Sequence, residues 1–208
     1  MNYSEEIASK LLQIKAIKLS PQNPFTWASG IKSPIYCDNR MVLSYPDIRR
    51  LVIEAFAVKA QDFGEIDTIA GVATAGIPHG ALLAEKMDLP FIYVRDKAKG
   101  HGRQNQIEGR VEVGKKVLVV EDLISTGGSV LRAVDVLRQA NVEVIGVIAI
   151  FTYGFEKAVD AFKTAKCPFA TLSNYETLLE EAAKQHYISE EEKAVLQNWH
   201  KAPQSWGK

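Results

Sequence analysis

Apolar and polar residues alternate along the chain in blocks whose period switches between that of strands and that of helices. Short apolar runs occur at residues 68–71, 90–94, 117–120 and 142–150, and each is typical of a buried strand. Between and after them, residues 46–63, 77–87, 130–140 and 156–163 carry apolar positions at helical spacing. This alternation predicts an α/β fold with a mostly parallel central sheet and helices on both faces.

The two ends of the chain differ from this central block. Residues 4–18 have helical spacing with Ser4 as a cap, whereas residues 21–38 are broken by proline and glycine and predict short strands and turns. Residues 174–184 and 189–200 predict two terminal helices, the second opened by a Ser189–Glu192 capping box. We expect one domain over residues 1–208, with an N-terminal attachment (about 1–40), a core (41–172) and terminal helices (173–208).

The composition and charge of the chain indicate which partners and which cell compartment to expect. The chain has 208 residues, is 47% hydrophobic, and balances 25 basic against 25 acidic residues, which predicts neither a nucleic-acid nor a membrane partner. No apolar run reaches the ~18 residues that a membrane helix needs. The first residues lack the pattern of a signal peptide, and Cys37 and Cys167 are isolated, so we expect a cytoplasmic protein without disulfides.

One segment of the sequence gives the clearest indication of a ligand-binding site. Residues 117–129 have the sequence Val-Leu-Val-Val-Glu-Asp-Leu-Ile-Ser-Thr-Gly-Gly-Ser, in which an apolar strand leads to Glu121 and Asp122 and then to a hydroxyl- and glycine-rich loop before a helix. Such a loop offers backbone N–H groups and a positive helix end to a phosphate. The two carboxylates suit sugar hydroxyls or a divalent cation. The segment therefore predicts a sugar phosphate as ligand.

Two further loops follow predicted strands at the same edge of the sheet. Residues 71–76 are small, which lets backbone amides approach an anion, although tight packing explains these residues equally well. Residues 95–110 are basic and glycine-punctuated and are assigned to no element. From charge alone this segment is as consistent with a solvated hairpin as with a lid. Its position beside the phosphate loop favours a mobile clamp for pyrophosphate.

Other phosphate motifs are absent from the sequence. No G-x-x-x-x-G-K-[ST] occurs, and Gly100-His101-Gly102 fails as a dinucleotide fingerprint because Asn105 replaces the third glycine.

In contrast, the segment 121–129 resembles the 5-phosphoribosyl 1-pyrophosphate (PRPP) signature of the type I phosphoribosyltransferases. Two more motifs make the chain similar to the bacterial orotate phosphoribosyltransferases over nearly its full length. They are Arg95…Lys99-Gly100-His101-Gly102 and the aromatic segment 25–36, which resembles the hood that covers the base in this family.

The resemblance implies a reaction and a set of partners. The fold would be that of a type I phosphoribosyltransferase, and the enzyme would transfer the phosphoribosyl group of PRPP to orotate. The products would be orotidine 5′-monophosphate and pyrophosphate, in pyrimidine biosynthesis. Mg²⁺ would be the cofactor, held mainly by PRPP and near Glu121 and Asp122. The protein would be a homodimer in which the mobile loop of one subunit closes over the site of its neighbour.

The resemblance also implies residue roles. Lys99, His101 and Asp122 would be catalytic, Ser125 would contact orotate, and Lys32 and Tyr36 would lie near the base. The PRPP-binding residues would be Arg95, Lys99, His101, Glu121, Asp122, Leu123, Ile124, Ser125, Thr126, Gly127, Gly128 and Ser129. The family's pyrophosphate loop often holds a cis peptide bond, which here would be Ala73–Thr74.

Three positions depart from the family pattern. Some members have lysine where this chain has Ala28, Ala75 and Asp96. Lys97 or Arg103 is a candidate to replace the charge that is missing at Ala75 and Asp96.

Two other functions remain as alternatives. A purine phosphoribosyltransferase would lack the aromatic hood, and a PRPP-sensing regulator would need a DNA-binding element, for which the first ~20 residues are too short.

Overall fold

The computed structural model describes residues 3–27, 30, 32–97 and 106–206. The helices are α1 (Tyr3–Gln13), α2 (Pro46–Ala60), α3 (Gly76–Met87), α4 (Gly128–Gln139), α5 (Glu156–Thr164), α6 (Tyr175–Lys184) and α7 (Glu190–Lys201), with 3₁₀ turns at Asn39–Ser44 and Gln61–Phe63. The strands are β1 (Ile17–Leu19), β2 (Phe25–Thr26), β3 (Lys32–Ser33), β4 (Ile35–Cys37), β5 (Thr68–Val72), β6 (Phe91–Val94), β7 (Ile107–Glu108), β8 (Lys116–Ile124), β9 (Glu143–Thr152) and β10 (Phe169–Asn174).

A six-stranded sheet forms the centre, in the order β10-β9-β8-β5-β6-β7. Every pair is parallel except β6–β7, which confirms the predicted mostly parallel sheet. From β5 the chain crosses through α3 to β6 on one side and then returns to β8 on the other. The topological switch point therefore lies between β5 and β8, where open α/β sheets bind their ligands.

Each face of the sheet has its own apolar core, and the alternation of side chains along β8 divides between them. Leu118 and Val120 pack into a cluster with α1, α2, α6 and α7, whereas Val117 and Val119 pack with α4 and α5. All four side chains are at most 1% exposed. Burying an aliphatic side chain of this size contributes roughly 1.5–3 kcal/mol to the free energy of unfolding. The helices on both faces of the sheet therefore stabilise β8 by burying the side chains on both of its sides.

The N-terminal region differs from the prediction. The helix predicted over residues 4–18 ends at Gln13, because Lys15 adopts a positive φ of 57° and Ile17 pairs with Cys37 across an antiparallel β1–β4 ribbon. Ser4 lies inside α1 rather than at its cap, and its backbone carbonyl accepts a hydrogen bond from Ser173 on β10. The short strands predicted for residues 21–38 are present as β2, β3 and β4.

Besides β1, two further strands were not predicted. The edge strand β10 pairs with β9, and β7 pairs antiparallel with β6 inside the segment 95–110 that the sequence assigned to no element. The backbone N–H of Arg95 also donates to the carbonyl of Gln106 at 2.8 Å. Both ends of that segment are therefore joined to the sheet. The Ser189–Glu192 capping box of α7 is confirmed.

Candidate active site

The acid pair lies on a part of β8 that has only one neighbouring strand. The pairing of β8 with β5 ends at Val120, whereas its pairing with β9 continues to Ile124. The sequence predicts that β8 ends at Val120. The strand continues for four more residues, to Ile124, because β9 still supplies hydrogen bonds on one side. Glu121 and Asp122 consequently flank the gap that opens between β5 and β8 at the switch point.

The two carboxyl groups have unusual surroundings. Glu121 is buried, at 7% exposure, and its carboxylate accepts a hydrogen bond from the backbone N–H of Asp122 at 2.9 Å. Burial, followed by the neighbouring Asp122 charge, raises the pKa of Glu121 well above its usual range. Burial also raises the pKa of Asp122. A pair of this kind favours hydroxyl groups that donate hydrogen bonds to it, or a cation that stabilises its charged form.

Two of the helices that begin at this edge, α3 and α4, follow the strands on either side of the gap, and neither has a side-chain cap. The N-cap of α4 is Gly127, at a φ of +80°, and the N-cap of α3 is Ala75, and neither supplies a side-chain hydrogen bond to the first turn. The first N–H groups of a helix have no partner within it, so both positive ends are available to anions. The phosphate loop, residues 125–129, thus leads into one helix end that is open to an anion, and residues 71–76 lead into a second.

Close packing determines how near the start of α3 lies to the neighbouring strands. A Cβ on Gly76 would lie 2.4 Å from the carbonyl oxygen of Val120, and one on Gly71 would lie 2.8 Å from the carbonyl oxygen of Gly76. Glycine at these positions lets α3 begin directly against β8. The Ala73–Thr74 peptide in the same loop is cis, as the resemblance implied.

The phosphate loop separates two cavities. One, of about 230 Å³, is lined by Ser129 together with Arg95 and Arg132. The other, of about 600 Å³, is lined by Ser125 and Thr126 together with Trp27 of the hood. Arg95 and the hood residue Trp27 therefore both lie beside the phosphate loop, but they line different cavities.

Some predicted residues are placed differently or lie outside the described residues. The guanidinium of Arg95 is half-buried and pairs with Glu108 at 3.4 Å, so part of its charge is already neutralised. Lys32 and Lys97 are exposed, as is Tyr36 at 40%. Lys99, His101 and Arg103, with the mobility predicted for their loop, lie outside the described residues.

Two residues missed by the sequence analysis hold the acid pair in place. Asn39 is fully buried and its side-chain amide donates to the carbonyl of Asp122 at 2.8 Å, although 83 residues separate them. The Cys37 thiol donates to the Asn39 amide oxygen at 3.4 Å, and burial together with Asp122 raises the pKa of that thiol. No local pattern around residues 37–39 indicates a contact this distant in sequence.

Comparisons with known proteins agree with this geometry. Residues 39–178 match the phosphoribosyl transferase domain family. The chain is 58% identical over 200 residues to an orotate phosphoribosyltransferase of Phocaeicola vulgatus, covering 96% of this chain and 94% of that one.

Solved structures of related proteins have the same fold. An orotate phosphoribosyltransferase from Aeropyrum pernix has a TM-score of 0.76 at 28% identity, covering 88% of this chain and 99% of that one. A UMP synthase of Leishmania donovani has a TM-score of 0.81 at 29% identity, and 95% of this chain corresponds to 42% of that longer one. The chain therefore belongs to the phosphoribosyltransferase family, and within it to the orotate phosphoribosyltransferases.

Among the described residues, no helix is long and apolar enough to cross a membrane.

Proposed function

We propose that this protein transfers the 5-phosphoribosyl group from PRPP to orotate, producing orotidine 5′-monophosphate and pyrophosphate in pyrimidine biosynthesis in the cytoplasm. The observation that carries the proposal is the acid pair at the free end of β8, directly beside the uncapped first turn of α4. We infer that these carboxylates bind the ribose and that the adjacent helix end binds the phosphate. The family relationship supplies the reaction.

The ribose phosphate is bound at two points. The backbone N–H groups and hydroxyls of residues 125–129 bind the 5′-phosphate, and Glu121 and Asp122 accept hydrogen bonds from the ribose hydroxyls. Asn39 fixes the backbone at Asp122, so the carboxylate is positioned before substrate arrives. Such preorganisation reduces the cost of orienting the sugar.

Cleavage of the bond from the anomeric carbon to pyrophosphate develops positive charge on the sugar and negative charge on the leaving group. The acid pair stabilises the first, while residues 71–76, Arg95, Lys99 and His101 stabilise the second. Lys99 and His101 also donate a proton to the departing pyrophosphate. Orotate N1 is the nucleophile, so no side chain forms a covalent bond with the sugar.

The residues present fit a magnesium ion that arrives with the substrate. Within the described part of the chain, no group of three potential ligands forms a metal cage. Glu121 and Asp122 offer at most two carboxylates, which matches the preference of Mg²⁺ for one or two protein carboxylates together with substrate phosphates. When bound, Mg²⁺ neutralises charge on the leaving pyrophosphate.

We further propose a homodimer with shared sites, in which residues 95–110 of one subunit serve the other. A mixture of an Asp122→Asn variant with a Lys99→Ala variant is then expected to regain activity, because some mixed dimers contain one intact site. Absence of any recovery, with subunit exchange verified, would contradict shared sites.

A panel of bases tests the proposed reaction. Purified protein is incubated with PRPP, Mg²⁺ and one base at a time, and pyrophosphate release is measured with orotate, uracil, adenine, guanine and hypoxanthine. We expect release with orotate alone. Turnover of a purine instead would identify a purine phosphoribosyltransferase, and PRPP binding without turnover of any base would indicate a sensing protein.

A further inference from the structure

The carboxylate of orotate poses a recognition problem that the residues so far described leave open. Orotate differs from uracil by one carboxylate on the ring carbon beside the attacking nitrogen, and the same group distinguishes orotidine 5′-monophosphate from UMP. An enzyme that selects orotate therefore needs hydrogen-bond donors for this group, of which a cation is the strongest, because an unpaired carboxylate is costly to desolvate. The acid pair and the phosphate loop do not supply one.

The cavity of about 600 Å³ has the room and the lining for a pyrimidine ring. It opens on the Ser125 and Thr126 side of the phosphate loop, and Trp27 and Phe155 supply aromatic walls. Flat rings of this kind offer a stacking surface to a base. Since Ser125 is the residue predicted to contact orotate, the cavity begins where the base is expected.

Two lysines line the same cavity. Lys157 lies in the first turn of α5, and Lys201 is the last residue of α7. Neither forms an ion pair with a residue that the structure describes, although the acid Glu156 also lines the wall. Lys157, Lys201 and the hood lysine, Lys32, are all exposed, but Lys32 is not part of this lining.

Aromatic packing fixes the end of α7 beside the cavity. Trp199 is fully buried, with its ring centroid 5.8 Å from that of Trp27 and 5.8 Å from that of Phe155. His200 stacks on Tyr175 at 4.8 Å, and its Nε2 is hydrogen-bonded to the carbonyl of Tyr153. Because a carbonyl only accepts, Nε2 carries the proton and donates it there. These contacts hold Lys201 at the cavity rim.

We propose that the orotate ring occupies this cavity and that Lys157 and Lys201 bind its carboxylate, which makes them specificity-determining residues. The inference rests on the proposed function and adds two residues from the C-terminal half of the chain to the base site.

Nucleotide binding tests the proposal without turnover. The affinities of orotidine 5′-monophosphate and UMP are measured by calorimetry for the wild type, Lys157→Met, Lys201→Met and the double variant. Methionine keeps the length of the side chain and removes the charge. We expect each substitution to weaken binding of orotidine 5′-monophosphate about tenfold and the double variant about 100-fold, with UMP affinity unchanged, as for the loss of charge-assisted hydrogen bonds.

Two controls accompany these variants. Lys163→Met, in the last turn of α5 and away from the cavity, is expected to leave both affinities unchanged. Lys32→Met tests the hood as an alternative source of the cation.

The outcomes separate this inference from the proposed function. The proposal is supported if the Lys157 and Lys201 variants lose affinity for orotidine 5′-monophosphate and keep their affinity for UMP. Unchanged affinity in those variants, or a loss confined to Lys32→Met, overturns it. Equal binding of both nucleotides by the wild type would instead count against the proposed function itself.

Discussion

The buried side chain of His79 is expected to make the stability of this protein depend on pH. The side chain lies on α3 and is fully buried, and neither ring nitrogen has a hydrogen-bond partner in the described part of the chain. Burial, with a smaller contribution from the Arg49 charge, lowers the pKa of His79 from 6.5 to about 4. The folded protein therefore holds this imidazole neutral at pH values where the unfolded chain protonates it.

The magnitude follows from these two pKa values. Above pH 6.5 both states are neutral and the group adds no pH dependence. Below it the unfolded state binds more protons than the folded state, so stability falls with falling pH until the folded-state pKa near 4 is passed. At pH 5 the loss is about 2 kcal/mol relative to pH 8, and it reaches about 3 kcal/mol below pH 4.

Substitution by leucine isolates this contribution. His79→Leu is expected to raise the free energy of unfolding at pH 8 by roughly 1 kcal/mol, because it removes a buried polar group without a partner. At pH 5 the advantage over the wild type grows by about 2 kcal/mol. Urea unfolding of both proteins at the two pH values and one protein concentration measures the difference.

A second histidine provides the control. His186 is exposed at a φ of 58°, and asparagine tolerates that backbone, so His186→Asn is expected to keep the wild-type pH dependence. If wild type and His79→Leu lose stability equally between pH 8 and pH 5, the buried neutral imidazole is not the cause and the reasoning fails.

Four further substitutions, with Gly128→Ala as a fifth that serves as a control, test the site and the residues that support it. Asp122→Asn is expected to weaken PRPP binding and lower turnover without unfolding the chain, and normal kinetics would show that the acid pair has been misassigned. Asn39→Ala is expected to lower the free energy of unfolding by about 1–2 kcal/mol and to raise KM for PRPP, because a buried hydrogen bond to the Asp122 carbonyl is lost. Gly76→Ala forces a Cβ against the backbone of β8 and is expected to cost about 3 kcal/mol in urea unfolding, whereas Gly128→Ala, where a Cβ meets only a side-chain nitrogen at 3.7 Å, is expected to change stability by less than about 1 kcal/mol. Lys99→Ala is expected to lower turnover by a larger factor than PRPP affinity, and equal losses in single-turnover and binding measurements would make Lys99 an ordinary binding residue.

The local parts of the fold were predictable because their signals are local. The apolar runs of β5, β8 and β9 and the helical periods of α2 to α5 each repeat within a few residues, and parallel strands of this kind must end at one edge. That alone places residues 71–76 at the same edge as the acid pair and the phosphate loop, which are neighbours in sequence.

The elements and contacts that were not predicted depend on partners that are distant in sequence. The helical pattern of the N-terminal segment stops at Gln13 because Ile17 is needed to pair with Cys37. Likewise β10 was missed because Phe169-Ala-Thr-Leu-Ser-Asn has no clear alternation, and only its pairing with β9 makes it a strand. Asn39, 83 residues before its partner, belongs to the same class of contact.

The most direct test of the proposed reaction is the ultraviolet absorbance of orotate in the presence of the purified protein, PRPP and Mg²⁺. We predict that the absorbance falls as orotidine 5′-monophosphate forms, that the fall requires PRPP, and that Asp122→Asn largely abolishes it. Constant orotate absorbance with folded wild-type protein that binds PRPP would contradict the proposed transfer of phosphoribose to orotate.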